Sequence, residues 1–308
     1  MSVSFSVCIP AHEDAAAVRR AVERLRSQSV GDWECVVSDD SRSDAVEDCV
    51  SGFGDARIRY FRNAPSLGAP ANWNAALRKA RGRIVTLLHQ DDFYSSPDVL
   101  LHVQRAFASG GIRVAVCARE LWRNGAPCAR YADNRGSVAA FLRRFPQRSL
   151  VVNRMGHPSV IFLEARLAGI LFDERLLYFL DTEWYSRLWR EAGDSGVCHV
   201  PEAFVAQEMG RPGQLSARCV LEMRGIAAEL AAVLEKCRAT PEQEAQAFAR
   251  LFVSHARHLG RDGLSVAFET FRSFSPWGKM VFAGIAGVLS LHMLYRGARK
   301  FLGLRPWG

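Results

Sequence analysis

The chain contains no C-x-x-C pair, and none of its 8 cysteines stands at a ligand-like spacing from a histidine. That pattern argues against a zinc ribbon or a disulfide framework, and the thiols read as reduced, small core hydrophobes in a cytoplasmic setting. Neither a G-x-x-x-x-G-K-[ST] nor a G-x-G-x-x-G sequence occurs, so phosphates are not cradled in either of those glycine loops. No basic segment with a following apolar run precedes the strand-like stretch from Val3 to Ile9, and no secretory signal is expected. Long apolar runs are missing as well. The charge-free stretch Met280 to Tyr295 has 16 residues, about 24 Å as a helix, where a membrane crossing takes ~20 residues.

What is present is ordinary globular composition: 308 residues, 49% of them apolar and 10% aromatic, with a formal charge of +8. Coiled coil, collagen and wholesale disorder are excluded. A chain this long buries about 75% of the surface its unfolded form exposes, so it folds without a metal or disulfide staple. The charge is unevenly placed. From Arg250 to Arg305 nine basic residues face two acidic ones, while the first 248 residues are close to neutral. A nucleic-acid surface needs basic residues among aromatics across the folded core, and no nucleic-acid partner is expected here. A basic tail beside an apolar run points to an anionic membrane surface. The stretch 278–300, in which Lys279, Arg296, Arg299 and Lys300 flank the run Met280 to Tyr295 with Trp277 and Trp307 outside, fits a helix in the headgroup plane, or one packed on the protein's own core or in a dimer. The first alternative makes the protein peripheral on the inner face of the membrane.

The first 120 residues alternate between short β-branched runs and helical periodicity, as a layered α/β sheet requires. Strands are expected over Ser4 to Ile9, Trp33 to Ser38, Ile58 to Arg62, Ile84 to Leu88 and Arg113 to Ala118. Between them, Val18, Val22 and Leu25 mark one helix face, and Trp73, Ala76, Leu77 and Ala80 another, ended by Gly82. Further strands are expected around Val160 to Leu163 and Val197 to Val205, and a helix near Asp181. From Ser216 the pattern turns helical, with Val220, Met223, Ile226, Ala227, Leu230 and Leu234 on one stripe and more helix after Pro241. The expected division is a catalytic domain over 1–215, with halves 1–118 and 119–215, and a helical region over 216–308.

Three acidic clusters fall at the ends of expected strands or the start of a helix: Asp39-Asp40, Asp91-Asp92 and Asp181-Thr182-Glu183. Open α/β sheets place ligands beyond the C-terminal ends of their strands. One such pair alone is more often a turn or cap. Converging carboxylates repel unless a cation sits among them, and hard oxygen donors suit Mg²⁺ or Mn²⁺, which holds a phosphate-bearing substrate.

Ser6 to Glu13, Val36 to Asp44, Leu67-Gly68 to Asn74 and Leu87 to Asp92 resemble, in order and spacing, the motifs of inverting family 2 glycosyltransferases. Gly156-His157-Pro158-Ser159, Phe172-Asp173-Glu174 and Leu180 to Trp184 resemble that family's acceptor-side segment. The resemblance covers roughly residues 3 to 215 and implies a GT-A fold and transfer from a nucleotide sugar, with UDP the expected nucleotide, to a hydroxyl of a glycan or lipid-linked acceptor. It implies that Pro10, Ala11 and Glu13 border the nucleotide, that Asp39 accepts from uracil, and that Asn74 and Asp91 complete the donor side. Asp91 and Asp92 stand at the family's position for Mn²⁺ or Mg²⁺. Asp181 matches the catalytic base, with Glu183 as fallback. The contrasting reading is a nucleotide-sugar-binding protein of this fold without transfer activity.

Some positions depart from the family pattern. His89 and Gln90 replace an Asp and a small residue, and His89 admits three roles: metal ligand, diphosphate donor or packed strand-end residue. Arg211 stands where relatives carry a His; a guanidinium cannot ligate a cation, but it pairs well with a diphosphate. Trp184 and Tyr185 fit either a sugar wall or the core.

Overall fold

In the computed structural model the described residues are 3–131, 153, 155–210, 223–236, 239–254, 276, 278–280 and 282–284. Arg211, and the stretch 278–300 apart from 278–280 and 282–284, lie outside them. The elements in chain order are β1 (Phe5–Ala11), α1 (Ala15–Arg26), β2 (Trp33–Asp39), α2 (Ala45–Ser51), β3 (Ile58–Arg62), α3 (Ala69–Leu77), β4 (Ile84–Leu87), β5 (Asp92–Tyr94) and α4 (Val99–Ala108). There follow β6 (Val114–Arg123), β7 (Ala126–Tyr131), β8 (Ile161–Glu164), α5 (Leu180–Ala192), β9 (Val197–Glu208), α6 (Met223–Lys236) and α7 (Pro241–Ser254). The chain divides into two compact units, Met1–Arg144 with Asn153–Pro212, and Phe145–Val152 with Gly213–Gly308.

In the first unit the strands form one mixed sheet in the order β3-β2-β1-β4-β8-β6-β9-β5, with β7 paired to β6. Strands β3, β2, β1 and β4 run parallel. Every residue of β1 and β2 is buried, as expected for parallel strands covered on both faces. Helix α1 starts where the Asp14 carboxylate accepts from Ala17 N at 2.9 Å, and it buries Ala17, Val18, Ala21, Val22 and Leu25. Each large side chain so buried contributes about 1.5–3 kcal/mol. The chain leaves β1 toward β2 on one side and reaches β4 on the other, so a crevice opens beyond the C-terminal ends of β1 and β4, where such folds bind ligands.

Two strands were not expected from the sequence. The three residues of β5 are too few for any periodicity, and their strand character comes from antiparallel pairing with β9 (Asp92↔Gln207, Tyr94↔Val205). The β6–β7 hairpin turns through Asn124 and Gly125, both at positive φ (53° and 77°). Asn-Gly between strands is a strong hairpin signal, and it extends β6 beyond the expected Ala118.

In the second unit α6 buries Ile226, Ala227, Leu230, Val233 and Leu234, and α7 buries Ala245, Phe248, Leu251 and Phe252. Thr240 N–H donates to Gln243 Oε1 at 2.7 Å while Gln243 N–H returns to Thr240 Oγ1 at 3.4 Å, a reciprocal cap at the start of α7.

Candidate active site

The crevice begins with two loops locked together. Glu13 holds a left-handed backbone at φ 51°, a strain of order 1–3 kcal/mol for a residue with a side chain. It is offset by three hydrogen bonds: Glu13 N–H donates to Ser41 Oγ (2.7 Å), and its carboxylate accepts from Arg42 N (2.7 Å) and Ser43 Oγ (2.8 Å). The Arg42 amide, with the Ser43 hydroxyl, holds the Glu13 carboxyl below the usual carboxylate range. Pro10 and Ala11, both buried, end β1 just before this turn. His12 N–H donates to Gln90 Oε1 (2.8 Å) and Gln90 Nε2 to His12 O (3.0 Å), tying the end of β1 to the turn after β4.

The two aspartates after β2 have separate tasks. Asp39 is fully buried, and its carboxylate accepts from Ser41 N and Oγ (2.9 and 2.5 Å) and Tyr60 OH (2.7 Å). Asp40 accepts from Ser66 Oγ (2.6 Å), Leu67 N (2.7 Å), Gly68 N (2.9 Å) and Asn63 Nδ2 (3.2 Å). It therefore shapes the loop that leads into α3. Burial pushes the Asp40 carboxyl up, but these four donors outweigh it and hold the group below the usual range.

Asn74 has three protein contacts. It is buried on α3, donates to Phe172 O (3.0 Å) and Glu174 Oε1 (2.8 Å), and accepts from Phe172 N (2.8 Å). An amide this occupied joins α3 to the 172–174 segment instead of meeting a donor.

At the end of β4 the chain turns through His89, Gln90 and Asp91 into β5. Arg20 donates to Asp91 O through Nη2 (3.2 Å) and pairs with Glu208 through Nη1 (2.5 Å), and Asp91 itself is half-buried. Asp92 is buried, and its Oδ2 accepts from Ser159 Oγ (2.6 Å), which in turn accepts from His89 N (2.9 Å). His157 Nδ1 lies 2.7 Å from the same oxygen and His89 Nδ1 3.6 Å from it. His157 therefore engages the Asp92 carboxylate through Nδ1, while its Nε2 is buried without a partner. His89 Nε2 is likewise buried without a partner. Trp73 covers His89 with ring centroids 4.5 Å apart. Burial pushes the His89 imidazole below its usual value against the pull of Asp92 and Asp91, which keeps the ring neutral near pH 7. For Asp92 burial acts upward, yet His157, His89 and Ser159 hold the carboxyl below the usual range.

The sequence did not single out His157 beyond its motif. Its position rests on Gly156, at φ 96°, where a Cβ would come within 3.1 Å of Arg119 Cδ. Asn153 brackets that glycine by accepting from Gly156 N (2.9 Å) and donating to Gly156 O (2.6 Å), and Tyr185 OH donates to the same carbonyl (3.0 Å). A histidine after a forced glycine turn, across from an acidic strand end, was the available signal.

Asp181 and Glu183 both lie in the first turn of α5, but their surroundings differ. Asp181 is half-buried within the field of His157 and Asp92, and burial pushes its carboxyl up to about 7, with His157 opposing and Asp92 adding. Among the described residues no hydrogen-bond donor meets it. Glu183 is buried and forms a fork with Arg187 (Nε 2.8 Å, Nη2 2.7 Å), while Arg187 also donates to Leu171 O (2.7 Å). A carboxylate so paired is a poor proton acceptor. Trp184 (0% exposed) and Tyr185 (3%) belong to the core, with Trp184 stacked on Phe172 at 4.3 Å.

The family model for "Glycosyl transferase family 2" matches residues 6–165, more than half of the chain. The chain belongs to glycosyl transferase family 2. A relative from Mycobacterium tuberculosis, "Uncharacterized protein MT1568", is 28% identical over 64% of this chain and 64% of its own length. The Escherichia coli protein WfgD, "UDP-Glc:alpha-D-GlcNAc-diphosphoundecaprenol beta-1,3-glucosyltransferase", is 30% identical over 29% of this chain and 35% of its own length. The chain thus spans less than two thirds of these relatives. Among solved structures, S. aureus TarS 1-349 in complex with UDP-GlcNAc superposes with TM-score 0.63 at 14% identity, over 96% of this chain and 92% of that one. The Pyrobaculum calidifontis mannosyltransferase PcManGT in complex with GDP-Man and Mn²⁺ gives 0.52 at 15% identity, over 98% and 81%. At that identity the likeness shows the fold, which is GT-A.

This family 2 glycosyltransferase has residues that fit a divalent cation. His89, Asp92 and His157 each offer a ligand atom, and these atoms lie within 4.8 Å of one another. The Nε2 atoms of His89 and His157 are buried without protein partners, and a cation would supply one.

Proposed function

We propose that the protein transfers a sugar, with inversion, from a UDP-sugar to a hydroxyl of a glycan or lipid-linked acceptor. The observation that carries this reading is Asp181: a carboxylate with no hydrogen-bond donor among the described residues, raised to about 7, beside Asp92 and His157. An acceptor hydroxyl is a poor nucleophile at neutral pH, and a base with a pKa near the working pH takes its proton best. Asp181 accepts that proton as the hydroxyl oxygen bonds to the anomeric carbon and the diphosphate leaves from the opposite side. A bound Mn²⁺ or Mg²⁺ supplies Lewis-acid stabilisation of the departing diphosphate. In this reading Pro10, Ala11 and Glu13 line the nucleotide side, Asp39 accepts from the uracil ring, and Asp91 completes the donor side.

TarS in its UDP-GlcNAc complex and WfgD in its name support the UDP-sugar, and the name of WfgD supports a diphosphoundecaprenol-type acceptor. No helix among the described residues is long and apolar enough to cross a membrane. The basic residues from Arg250 to Arg305 support an approach to an anionic lipid surface.

Two measurements test the reading. In thermal unfolding with Mn²⁺, UDP-sugars should raise the midpoint while GDP- and dTDP-sugars do not, with about 2.7 kcal/mol of stabilisation at 100 times Kd. A rise with GDP-sugars alone would replace the donor assignment. In the second, kcat/KM should fall about tenfold per pH unit below the pKa of the base, here about 7. A flat profile down to pH 5 would remove the base from the mechanism.

A further inference from the structure

We infer that His89, Asp92 and His157 form a nitrogen-rich cation site that selects Mn²⁺, Co²⁺ or Zn²⁺ over Mg²⁺; the inference deepens the reading above. The sequence alone suggests an oxygen site made by Asp91 and Asp92. The structure brings together a different set, from two separated chain segments. His89 ends the β4 turn, Asp92 opens β5, and His157 stands just before β8, with one ligand atom of each inside 4.8 Å of the others.

Three observations favour a bound cation over a packed polar cluster. Buried polar groups in folded proteins are nearly always satisfied, yet the His157 side chain, only 6% exposed, meets Asp92 through Nδ1 alone and leaves its Nε2 without a partner. His89 Nε2 is buried and unpartnered as well. The surrounding contacts also position the set as outer-shell contacts position metal ligands. Ser159 bridges His89 N and Asp92 Oδ2 (2.9 and 2.6 Å), Trp73 covers the His89 ring, and Asn153, Gly156 and Tyr185 set the turn before His157. Two imidazoles are borderline donors, and the one carboxylate is a hard donor. They suit manganese and the later first-row ions, whereas Mg²⁺ prefers oxygen ligands and keeps its waters.

The test uses the full-length protein and metal ions alone, without donor or acceptor. Protein stripped with a chelator is titrated with Co²⁺ and Mn²⁺ by calorimetry, and the Mn²⁺-loaded form is examined by electron spin-echo spectroscopy for coupling to ligand ¹⁴N. We expect imidazole nitrogen coupling in the unaltered protein and at least tenfold weaker binding of Mg²⁺ than of Mn²⁺. His157→Ala and His89→Gln should each weaken Co²⁺ binding by about 10- to 100-fold or more. Absence of nitrogen coupling in the unaltered protein, or Mg²⁺ binding as tightly as Mn²⁺, would establish an oxygen site and overturn the inference. The spectroscopic readout needs no variant, so it stands even if His157→Ala fails to fold. Because no sugar is present, a failure here leaves the transferase reading to its own tests, and a failure of the donor tests leaves the metal result intact.

Discussion

Asp181→Asn should lower kcat by about 10²- to 10⁴-fold, the usual contribution of a general base, while the affinity for a UDP-sugar changes little because the donor contacts remain. The same substitution should stabilise the fold at high pH. In the folded protein Asp181 is raised to about 7, against about 3.9 in an unfolded chain. Such a group favours the folded state while it is protonated, and that advantage is lost progressively as pH rises from about 4 to about 7. Above that window burial penalises the ionised side chain, and asparagine removes the penalty. The variant should therefore melt higher than the unaltered protein at pH 8, with the difference shrinking toward pH 5. Loss of activity with that gain in stability separates a catalytic role from misfolding. Unchanged turnover in the variant would exclude Asp181 as the base.

Asp40→Ala should cost about 2–4 kcal/mol of stability in urea unfolding, because four hydrogen bonds to one carboxylate disappear together and each is worth about 1 kcal/mol. Ser66, Leu67, Gly68 and Asn63 would lose their common acceptor, and the loop before α3 would lose its shape beside the end of β1. The sign of the pH dependence is opposite to that of Asp181. Asp40 lies below its usual range when folded, so its contribution is present above about pH 4 and vanishes as pH falls through the lowered value. The difference between the unaltered protein and the variant should accordingly be full at pH 7 and small near pH 2. A loss below ~0.5 kcal/mol at pH 7 would show that water replaces the carboxylate.

Much of the architecture was legible because it depends on repetition. The expected Ile58 to Arg62 is β3, and Ile84 to Leu88 differs from β4 by one residue, since β-branched runs between turn residues have few other solutions. Helix α5 does begin beside Asp181. The short β5 and the β6–β7 hairpin were missed for different reasons. Three residues carry no period, and the Asn124-Gly125 turn was present but unread.

The site was less legible than the fold. Asp39-Asp40 looked like one acidic pair, yet one carboxylate is closed by Ser41 and Tyr60 and the other holds a loop. Asn74 and Glu183 looked like site residues and are occupied by Phe172, Glu174 and Arg187. No spacing rule distinguishes a free carboxylate from a paired one, because the partner is chosen by packing.

By itself the sequence determined the α/β layering, the positions of the early strands, and the family, because each rests on local periodicity or on motifs in fixed order. Only the tertiary structure decided which charged groups meet. It set His157 against Asp92 across 65 positions of chain and placed Asp181 in the field of both. Those outcomes depend on distances and burial between remote segments, and electrostatic energies change steeply with both.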